Sequence, residues 1–354
     1  MEPSEFEAHC KSEKSHKQAL EFTSFGDKAA LSGGNYTSTA AARINPNDGE
    51  LDTLIVQKYA GDHGSGCHSM SLDRTGKSAP YDIDPSDKTA EMHSVLIYGE
   101  YLLSFLLDNG PLCISKLGKN VYKGAHQIKK GKCRFRYNGN NTNRNVQLEG
   151  DMLYFIDTNC HVVQYDLKEL LSLDEKSRSA YQPTVHSKAK FEDFCVFERR
   201  ISTLTKDGLL TDSDGRSKDL KTLANGSLGQ YFLTLETLAG YYVVASYTAS
   251  NSNVYSVLSA ELELLAFHSV AGASNQNVLL YSKNRLLHIL GGCDADTVDL
   301  LVYNDKRIEL VKSFKVSDHF LNGLVWLKPN EEALVLGGDG FFVGRRILKR
   351  LKLT

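Results

Sequence analysis

The feature that most constrains this chain is a hairpin pattern at residues 148–167. Met152 to Ile156 has the composition of a strand, Asp157-Thr-Asn that of a polar turn, and His161 to Tyr165 that of a second strand. Aromatic and β-branched residues bounded by Asn, Asp and Gly are typical of a half-buried antiparallel hairpin. The pattern therefore predicts an antiparallel sheet at this point of the chain.

Similar strand patterns return at a regular distance along the chain. Successive inner-strand candidates lie 73, 51, 48, 40, 45 and 47 residues apart, and they begin at Ala29, Leu102, Leu153, Ile201, Tyr241, Leu286 and Ala333. Most of these intervals match the length of a four-stranded propeller blade. The sequence predicts an all-β chain folded as a β-propeller of seven blades. Six blades is the alternative if the segment 192–222 belongs to a neighbouring blade.

The domain organisation follows from these intervals. We predict a mobile polar tail over residues 1–17 and a single propeller domain over 18–354. The long first interval predicts a loop insertion near 61–92, a stretch rich in Gly, Ser, Asp, His and Pro. A strand at Ala19–Phe25 is expected to complete the sheet of Leu324–Leu351, because joining the two termini removes exposed edge strands from the ring.

Turn residues support this interpretation, and helix signals are scarce. Asp-Gly or Asn-Gly pairs supply the positive φ angles of tight hairpins, and they occur at 48–49, 109–110, 138–139, 207–208, 214–215, 225–226, 322–323 and 339–340. The stretch Asp166–Leu173 resembles a capped helix. We expect it to form a short insert between two blades.

Two segments carry a resemblance to known families. Phe155–Leu167 resembles the second half of a WD40 repeat, with Tyr165-Asp166 where the family has Trp-Asp. Leu286–Gly292, followed by Val298–Tyr303, resembles a kelch blade. The chain departs from both families, since it has one Trp and no repeating Gly-His pair. It is identified as a divergent β-propeller of the WD40/kelch-like superfamily, which implies a non-catalytic scaffold or adaptor for protein partners.

Composition excludes several other classes of protein. Seven cysteines, an odd number without a Cys-x-x-Cys pair, argue against a disulfide scaffold and a paired zinc site. The acidic N-terminus is unlike a signal peptide, and no apolar run reaches the ~20 residues of a membrane span. We expect a soluble protein of the cytoplasm, the nucleus or both. The net charge of −2 gives no global indication of nucleic-acid binding.

Three short motifs lack parts that their chemistry requires. Arg74–Ser78 ends like a phosphate-binding loop, but the earlier Gly is missing and Ala79-Pro80 follows where a helix should begin. Asp62–His68 contains Asp, Cys and two His without a second ligand pair. Asp212–Gly215 lacks the flanking aromatic of a sialidase-type box. We expect no cofactor, no metal and no catalytic site, with a hydrolase that uses axial carboxylates as a remaining alternative.

The strongest local charge lies in Lys119–Arg136, which we call the basic segment. It holds eight basic residues and no acidic one. Basic groups next to aromatic rings suit RNA, single-stranded nucleic acid or an acidic protein surface. The candidate binding residues are Lys119, Tyr122, Lys123, Lys129, Lys130, Lys132, Arg134, Phe135 and Arg136. The simpler interpretation is a strand at Cys133–Tyr137 with exposed arginines. We therefore predict a protein-binding subunit of a larger complex, with an RNA- or ribonucleoprotein-binding propeller as the alternative.

Overall fold

Seven four-stranded antiparallel sheets make up the computed structural model of the chain. The structure describes residues 21–26, 40–45, 47–58, 68–81, 92–106, 112–116, 119–123, 146–157, 159, 161–187, 191–250, 252–271, 275–293, 297–304, 307–316, 320–328, 330–338 and 346–353. Each sheet is one blade of a ring, and we number the blades 1 to 7 in chain order. The predicted seven-bladed β-propeller is confirmed.

The first four blades follow one another along the chain, each with its strands in sequence order. Blade 1 contains β2 (Ala40–Ile44), β3 (Leu51–Lys58), β4 (His68–Asp73) and β5 (Ser78–Tyr81). Blade 2 contains β6 (Met92–Tyr98), β7 (Tyr101–Leu106), β8 (Leu112–Lys116) and β9 (Lys119–Lys123). Blade 3 contains β10 (Val146–Glu149), β11 (Met152–Ile156), β12 (Val162–Asp166) and β13 (Thr184–Ser187). Blade 4 contains β14 (Asp193–Phe197), β15 (Arg200–Leu204), β16 (Leu209–Thr211) and β17 (Ser217–Asp219).

The remaining blades have longer strands, and the last one combines both ends of the chain. Blade 5 contains β18 (Tyr231–Leu238), β19 (Tyr241–Tyr247), β20 (Ser252–Leu258) and β21 (Leu264–Ala271). Blade 6 contains β22 (Asn275–Lys283), β23 (Leu286–Cys293), β24 (Thr297–Asn304) and β25 (Arg307–Lys315). Blade 7 contains β26 (Phe320–Lys328), β27 (Glu332–Gly338), β28 (Arg346–Lys352) and β1 (Glu21–Ser24), in that order.

The first strand of each blade lies nearest the axis. First strands of neighbouring blades contact one another, as β14 does with β18 and β26 with β2. Two side chains strengthen these seams. Gln147 on β10 donates to the Phe194 carbonyl at 2.8 Å and accepts from the Val196 amide at 2.8 Å. Asp193 on β14 accepts from the Leu235 amide of β18 at 2.9 Å. Polar side chains thus join consecutive blades near the axis.

The strands that we predicted as innermost are the second strands of their blades. This holds for the six candidates that begin at Leu102 or later. A second strand is paired on both edges and covered by a neighbouring blade on each face, so it carries the longest apolar run. In β11, for example, the side chains from Leu153 to Ile156 are all buried. Most of the candidate at Ala29 lies outside the described residues, and the second strand of blade 1 is β3.

The predicted loop insertion at 61–92 is wrong where the structure describes it. β4 and β5 lie inside this range and form the outer half of blade 1. In β4, Met70 and Leu72 are buried whereas Asp73 is exposed. This alternation is normal for a strand with one buried face, but the polar average of the segment conceals it. Residues 61–67 and 82–91 lie outside the described part of the chain.

The predicted closure of the ring is confirmed. β1 pairs antiparallel with β28, from Glu21 opposite Lys352 to Ser24 opposite Lys349. The Phe22 ring lies 5.7 Å from that of Phe314 in blade 6, and Phe25 is buried among core residues of blades 1 and 7. Residues 1–20, including most of the predicted tail region, are outside the described part.

Most described Asp-Gly and Asn-Gly pairs have the predicted turn conformation. Gly49, Gly208 and Gly215 have φ angles of +68°, +86° and +81° in turns between strands. The pair Asn322-Gly323 does not form a turn, since it lies inside β26 where the register with β27 shifts. The shift is a β-bulge or similar irregularity, a second setting in which Gly is common in strands.

The predicted helix is confirmed, but its position is different. α1 (Leu167–Ser172) begins at Asp166, whose carboxylate accepts from the Glu169 amide at 2.9 Å. A second helix, α2 (Glu175–Ala180), follows it. Both lie between β12 and β13 within blade 3, not between two blades, and Arg178 of α2 donates to the Val121 carbonyl of blade 2. No helix within the described ranges is long and apolar enough to span a bilayer.

Candidate functional site

The blade topology gives the ring two different faces. Strands 1 and 3 of a blade run opposite to strands 2 and 4. The turns between strands 2 and 3 and the connections between blades therefore share one face, which we call the upper face. The turns between strands 1 and 2 and between strands 3 and 4 share the lower face. Each face collects turns from segments that are far apart in sequence.

On the upper face, the turn between β15 and β16 is held by its own first residue. The Thr205 amide donates to the Leu209 carbonyl at 3.0 Å, and the Gly208 amide donates to the Thr205 carbonyl at 2.9 Å. The Thr205 hydroxyl also accepts from the Leu209 amide at 3.0 Å. These bonds fix the turn and present the two charged residues at its tip, Lys206 and Asp207, to solvent.

The connection from blade 4 to blade 5 folds against this turn. It begins with a 3₁₀ segment, Leu220–Gly226, in which the Asp219 carboxylate accepts from the Lys221 amide at 2.9 Å. The Leu220 amide donates to the Gly208 carbonyl at 2.9 Å, so the connection and the turn are joined through their backbones. Leu220 and Leu228 are buried beneath the surface and anchor the connection at both ends.

Two glycines allow close packing under the same surface. At Gly208, a Cβ atom would lie 2.4 Å from the Phe232 ring, and at Gly229 it would lie 2.8 Å from the Ser246 hydroxyl oxygen. Contacts this short exclude any larger side chain unless its neighbours move. The Ser246 hydroxyl donates to the Leu228 carbonyl, and the Gln230 amide donates to the Tyr247 carbonyl at 2.8 Å. The surface is therefore built on a tightly packed support.

The result is an open cleft between blades 4 and 5, which we call the upper cleft. Its volume is about 520 Å³, and its lining residues are Lys206, Asp207, Lys221, Gly226, Gly229, Gln230 and Tyr231. The Tyr231 side chain is 45% exposed, and its ring lies 6.1 Å from that of Tyr247. Leu209, at the end of the turn, is 42% exposed. Large apolar side chains exposed to this degree are what a docking surface needs.

The polar groups of the upper cleft suit binding. The Lys221 ammonium lies 3.5 Å from an Asp207 carboxylate oxygen, and both side chains are well exposed, so this ion pair contributes little stability. Within the described part of the chain, the side chains of Lys206, Gln230 and Tyr231 have no hydrogen-bond or ion-pair partner. No group of His, Cys, Asp and Glu suited to a metal occurs among the described residues. The upper cleft offers donors, acceptors and an aromatic face to a ligand.

The structure separates the residues of the basic segment. Lys119, Tyr122 and Lys123 lie in β9, the outer strand of blade 2. The remaining predicted residues, Lys129, Lys130, Lys132, Arg134, Phe135 and Arg136, lie outside the described part of the chain.

Tyr122 does not have the exposed ring that we predicted for stacking. Its side chain is 7% exposed in the core between blades 2 and 3, and its hydroxyl donates to that of Tyr165 at 3.3 Å. Burial raises the pKa of the Tyr122 phenol. Strand alternation explains the difference, because Lys123 next to it is exposed.

Two of the short motifs form hairpin turns. Asp73 accepts from the amides of Thr75 and Lys77 at 2.8 and 3.1 Å, so Arg74–Ser78 leads into the strand β5 and not into a helix. Asp212 is buried, and it accepts from the Arg216 amide at 2.8 Å and from the Arg216 side chain at 2.6 Å. Both carboxylates hold turns together. Of the motif Asp62–His68, the structure describes only His68, in β4.

Comparisons with known proteins agree on the fold. No protein-family model matches the sequence, and no curated protein shows a detectable sequence similarity to it. Solved structures do match. A chain of the mitotic checkpoint complex has a TM-score of 0.65 at 9% identity, over 94% of this chain and 93% of that one. BBS1N, solved in complex with ARL6DN, has a TM-score of 0.60 at 12% identity, over 94% and 97%.

A third structure carries the name of the family that the sequence resembles. The C-terminal WD40 domain of Sif2 has a TM-score of 0.50 at 10% identity, over 95% of this chain and 99% of that domain. Identities this low establish the fold alone. With the seven antiparallel blades, they show that this chain is a divergent β-propeller with a WD40-like fold.

Proposed function

We propose that the chain is a non-catalytic scaffold or adaptor that binds a protein partner through the upper face of blades 4 and 5. The observation that carries the proposal is the exposure of Leu209 and Tyr231 on a tightly packed support. Exposed aromatic and aliphatic anchors on a rigid surface are typical centres of protein interfaces. A preformed surface also costs less conformational entropy on binding.

The comparisons support a place in a larger assembly. The similar chain of the mitotic checkpoint complex is part of a complex, and BBS1N was solved together with ARL6DN. These are properties of those proteins, and a shared fold is a weak argument for shared function. We propose a cytoplasmic or nuclear protein, in line with the seven scattered cysteines, of which Cys113 and Cys195 are buried free thiols.

The two alternatives receive less support. A hydrolase needs carboxylates that are available near the axis, but Asp193 accepts a hydrogen bond from the Leu235 amide and Glu149 accepts one from the Arg199 amide. An RNA-binding surface at the basic segment has lost its aromatic candidate Tyr122 to the core. RNA binding through Lys129, Lys130, Lys132 and Arg134 stays a prediction.

Affinity purification with mass spectrometry tests the proposal. The bait proteins are the tagged wild-type chain, the Tyr231→Ser variant and a matched control, Phe267→Ser, which alters an equally exposed ring on the outer strand of blade 5. We expect one or more proteins to co-purify with the wild type and the control, and to be lost from Tyr231→Ser at unchanged thermal stability. The absence of any specific protein, or equal recovery with all three baits, would contradict the proposal.

A further inference from the structure

We infer that the upper cleft binds an extended peptide that carries a carboxylate next to a large apolar side chain. The inference rests on the proposed function and names the chemistry of the partner. It starts from the charges of the cleft. Asp207 lies beside Lys221, whereas Lys206 has no ion-pair partner within the described ranges. Lys206 is therefore the cation that a ligand carboxylate would meet.

The apolar part of the ligand has a defined place. Tyr231 lines the cleft and stands beside Tyr247, and Leu209 follows the turn that carries Lys206. Tyr and Leu together form an amphipathic surface, with ring faces and methyl groups for an apolar side chain and a phenol for a polar group. A ligand that binds both Lys206 and this surface needs its acidic and apolar groups close together.

The shape of the cleft favours an extended segment. At about 520 Å³ and open to solvent, it accommodates a few residues and not a folded domain. Its floor includes Gly226 and Gly229, which have no side chains to keep a peptide backbone away. The Gln230 side chain has no partner in the described part of the chain, and its amide provides both a donor and an acceptor, as a peptide backbone requires.

The charge balance argues against a nucleic acid at this site. Lys206 and Lys221 stand beside Asp207 and Asp219, so the positive and negative charges are equal in number. Binding to a phosphate backbone requires an excess of basic residues, because its affinity comes largely from counterion release. One unpaired lysine matches one carboxylate better than a chain of phosphates.

A random peptide display library, selected against the immobilised full chain, tests the inference. The enriched peptides are then synthesised with a fluorescent label and titrated against the wild type, Lys206→Glu and Tyr231→Ala. Lys168→Glu is the matched control, because Lys168 is an exposed lysine on α1, away from the cleft. We expect peptides that combine an acidic and a large apolar residue, with a tenfold or greater loss of affinity, on the order of a lost interface anchor, in both cleft variants and none in the control.

A charge exchange makes the test specific. Peptides in which the acidic residue is replaced by Lys should bind Lys206→Glu better than they bind the wild type. The inference is overturned if no peptide is enriched, if the enriched peptides bind the cleft variants as well as the wild type, or if polyuridylate binds and is lost in Lys206→Glu. Should peptides fail while Tyr231→Ser still loses its protein partner, the proposed function stands and the peptide chemistry is wrong.

Discussion

The upper cleft and the basic segment are two candidate surfaces of opposite kinds. The basic segment is one continuous run with eight basic residues, and it is conspicuous in the sequence. The upper cleft is assembled from the turn at 205–209 and the connection at 220–231, neither of which is unusual in composition. The comparison teaches that a charge run marks a surface without shaping it, whereas a shaped surface depends on the packing of distant segments.

Breaking the ring should have the largest effect, because the upper cleft exists only in the folded propeller. Deleting residues 1–28 removes β1 together with Phe22 and Phe25 and leaves β28 as an exposed edge. We expect the free energy of unfolding to fall by at least about 4 kcal/mol, the cost of losing a buried Phe. Thermal and urea denaturation would measure it. The matched comparison is a 21–354 chain, which keeps β1; equal melting temperatures of the two would refute closure by β1.

The packed support of the cleft should be the next most sensitive element. Gly208→Ala places a Cβ against the Phe232 ring at a φ of +86°, and we expect a loss of about 2 to 4 kcal/mol from strain and overpacking. Gly215→Ala is the control, because it has a similar φ of +81° and no atom within 4 Å, so only about 1 kcal/mol is expected. Urea denaturation of both variants measures the difference. Equal losses would mean that the contact with Phe232 is unimportant.

Removal of the exposed anchor should affect binding without affecting the fold. Tyr231→Ala deletes a ring that is 45% exposed, and we expect the affinity for the partner to fall at least tenfold, by about 2 kcal/mol as for a typical interface anchor. The melting temperature should stay within error of the wild type. Calorimetric titration with the recovered partner provides the measurement. An unchanged affinity would place the interface elsewhere.

The smallest effect is expected at the basic segment. Replacing Lys129, Lys130, Lys132 and Arg134 together by Ala should change the stability by no more than about 0.5 kcal/mol per site, the usual range for exposed positions. Recovery of the protein partner should be unchanged. The measurements are thermal denaturation and RNA titration at several salt concentrations. A large loss of RNA affinity, with a salt slope that falls by roughly 0.7 to 0.9 per phosphate contact, would reverse the ranking of the two surfaces.

The sequence was sufficient for the architecture because blade formation depends on local patterns. The hairpin at 152–166, the cap at Asp166 and the closing strand near Phe22 each follow from a few adjacent residues. Averages over longer windows were misleading. The composition of 61–92 suggested an insertion, although the alternation of Met70 and Leu72 with polar neighbours forms a strand.

The upper cleft was not predictable for a different reason. Its shape depends on Gly208 under the Phe232 ring and on Gly229 beside Ser246, contacts that join residues from different strands. Asp207-Gly208 and Asn225-Gly226 were recognised as turn signals, but nothing in the sequence shows that the two turns lie side by side. Tyr122 was misassigned because its position in an alternating strand decides burial, and the surrounding lysines do not reveal which face is inward.

Hydrogen exchange of the full chain with and without its recovered partner tests the central claim most directly, because it reports on both surfaces in one experiment. The account predicts slower exchange at the amides of 205–209 and 220–231 when the partner is bound, and no change across 119–136. Slower exchange across 119–136, with no change at 205–209 and 220–231, would contradict it.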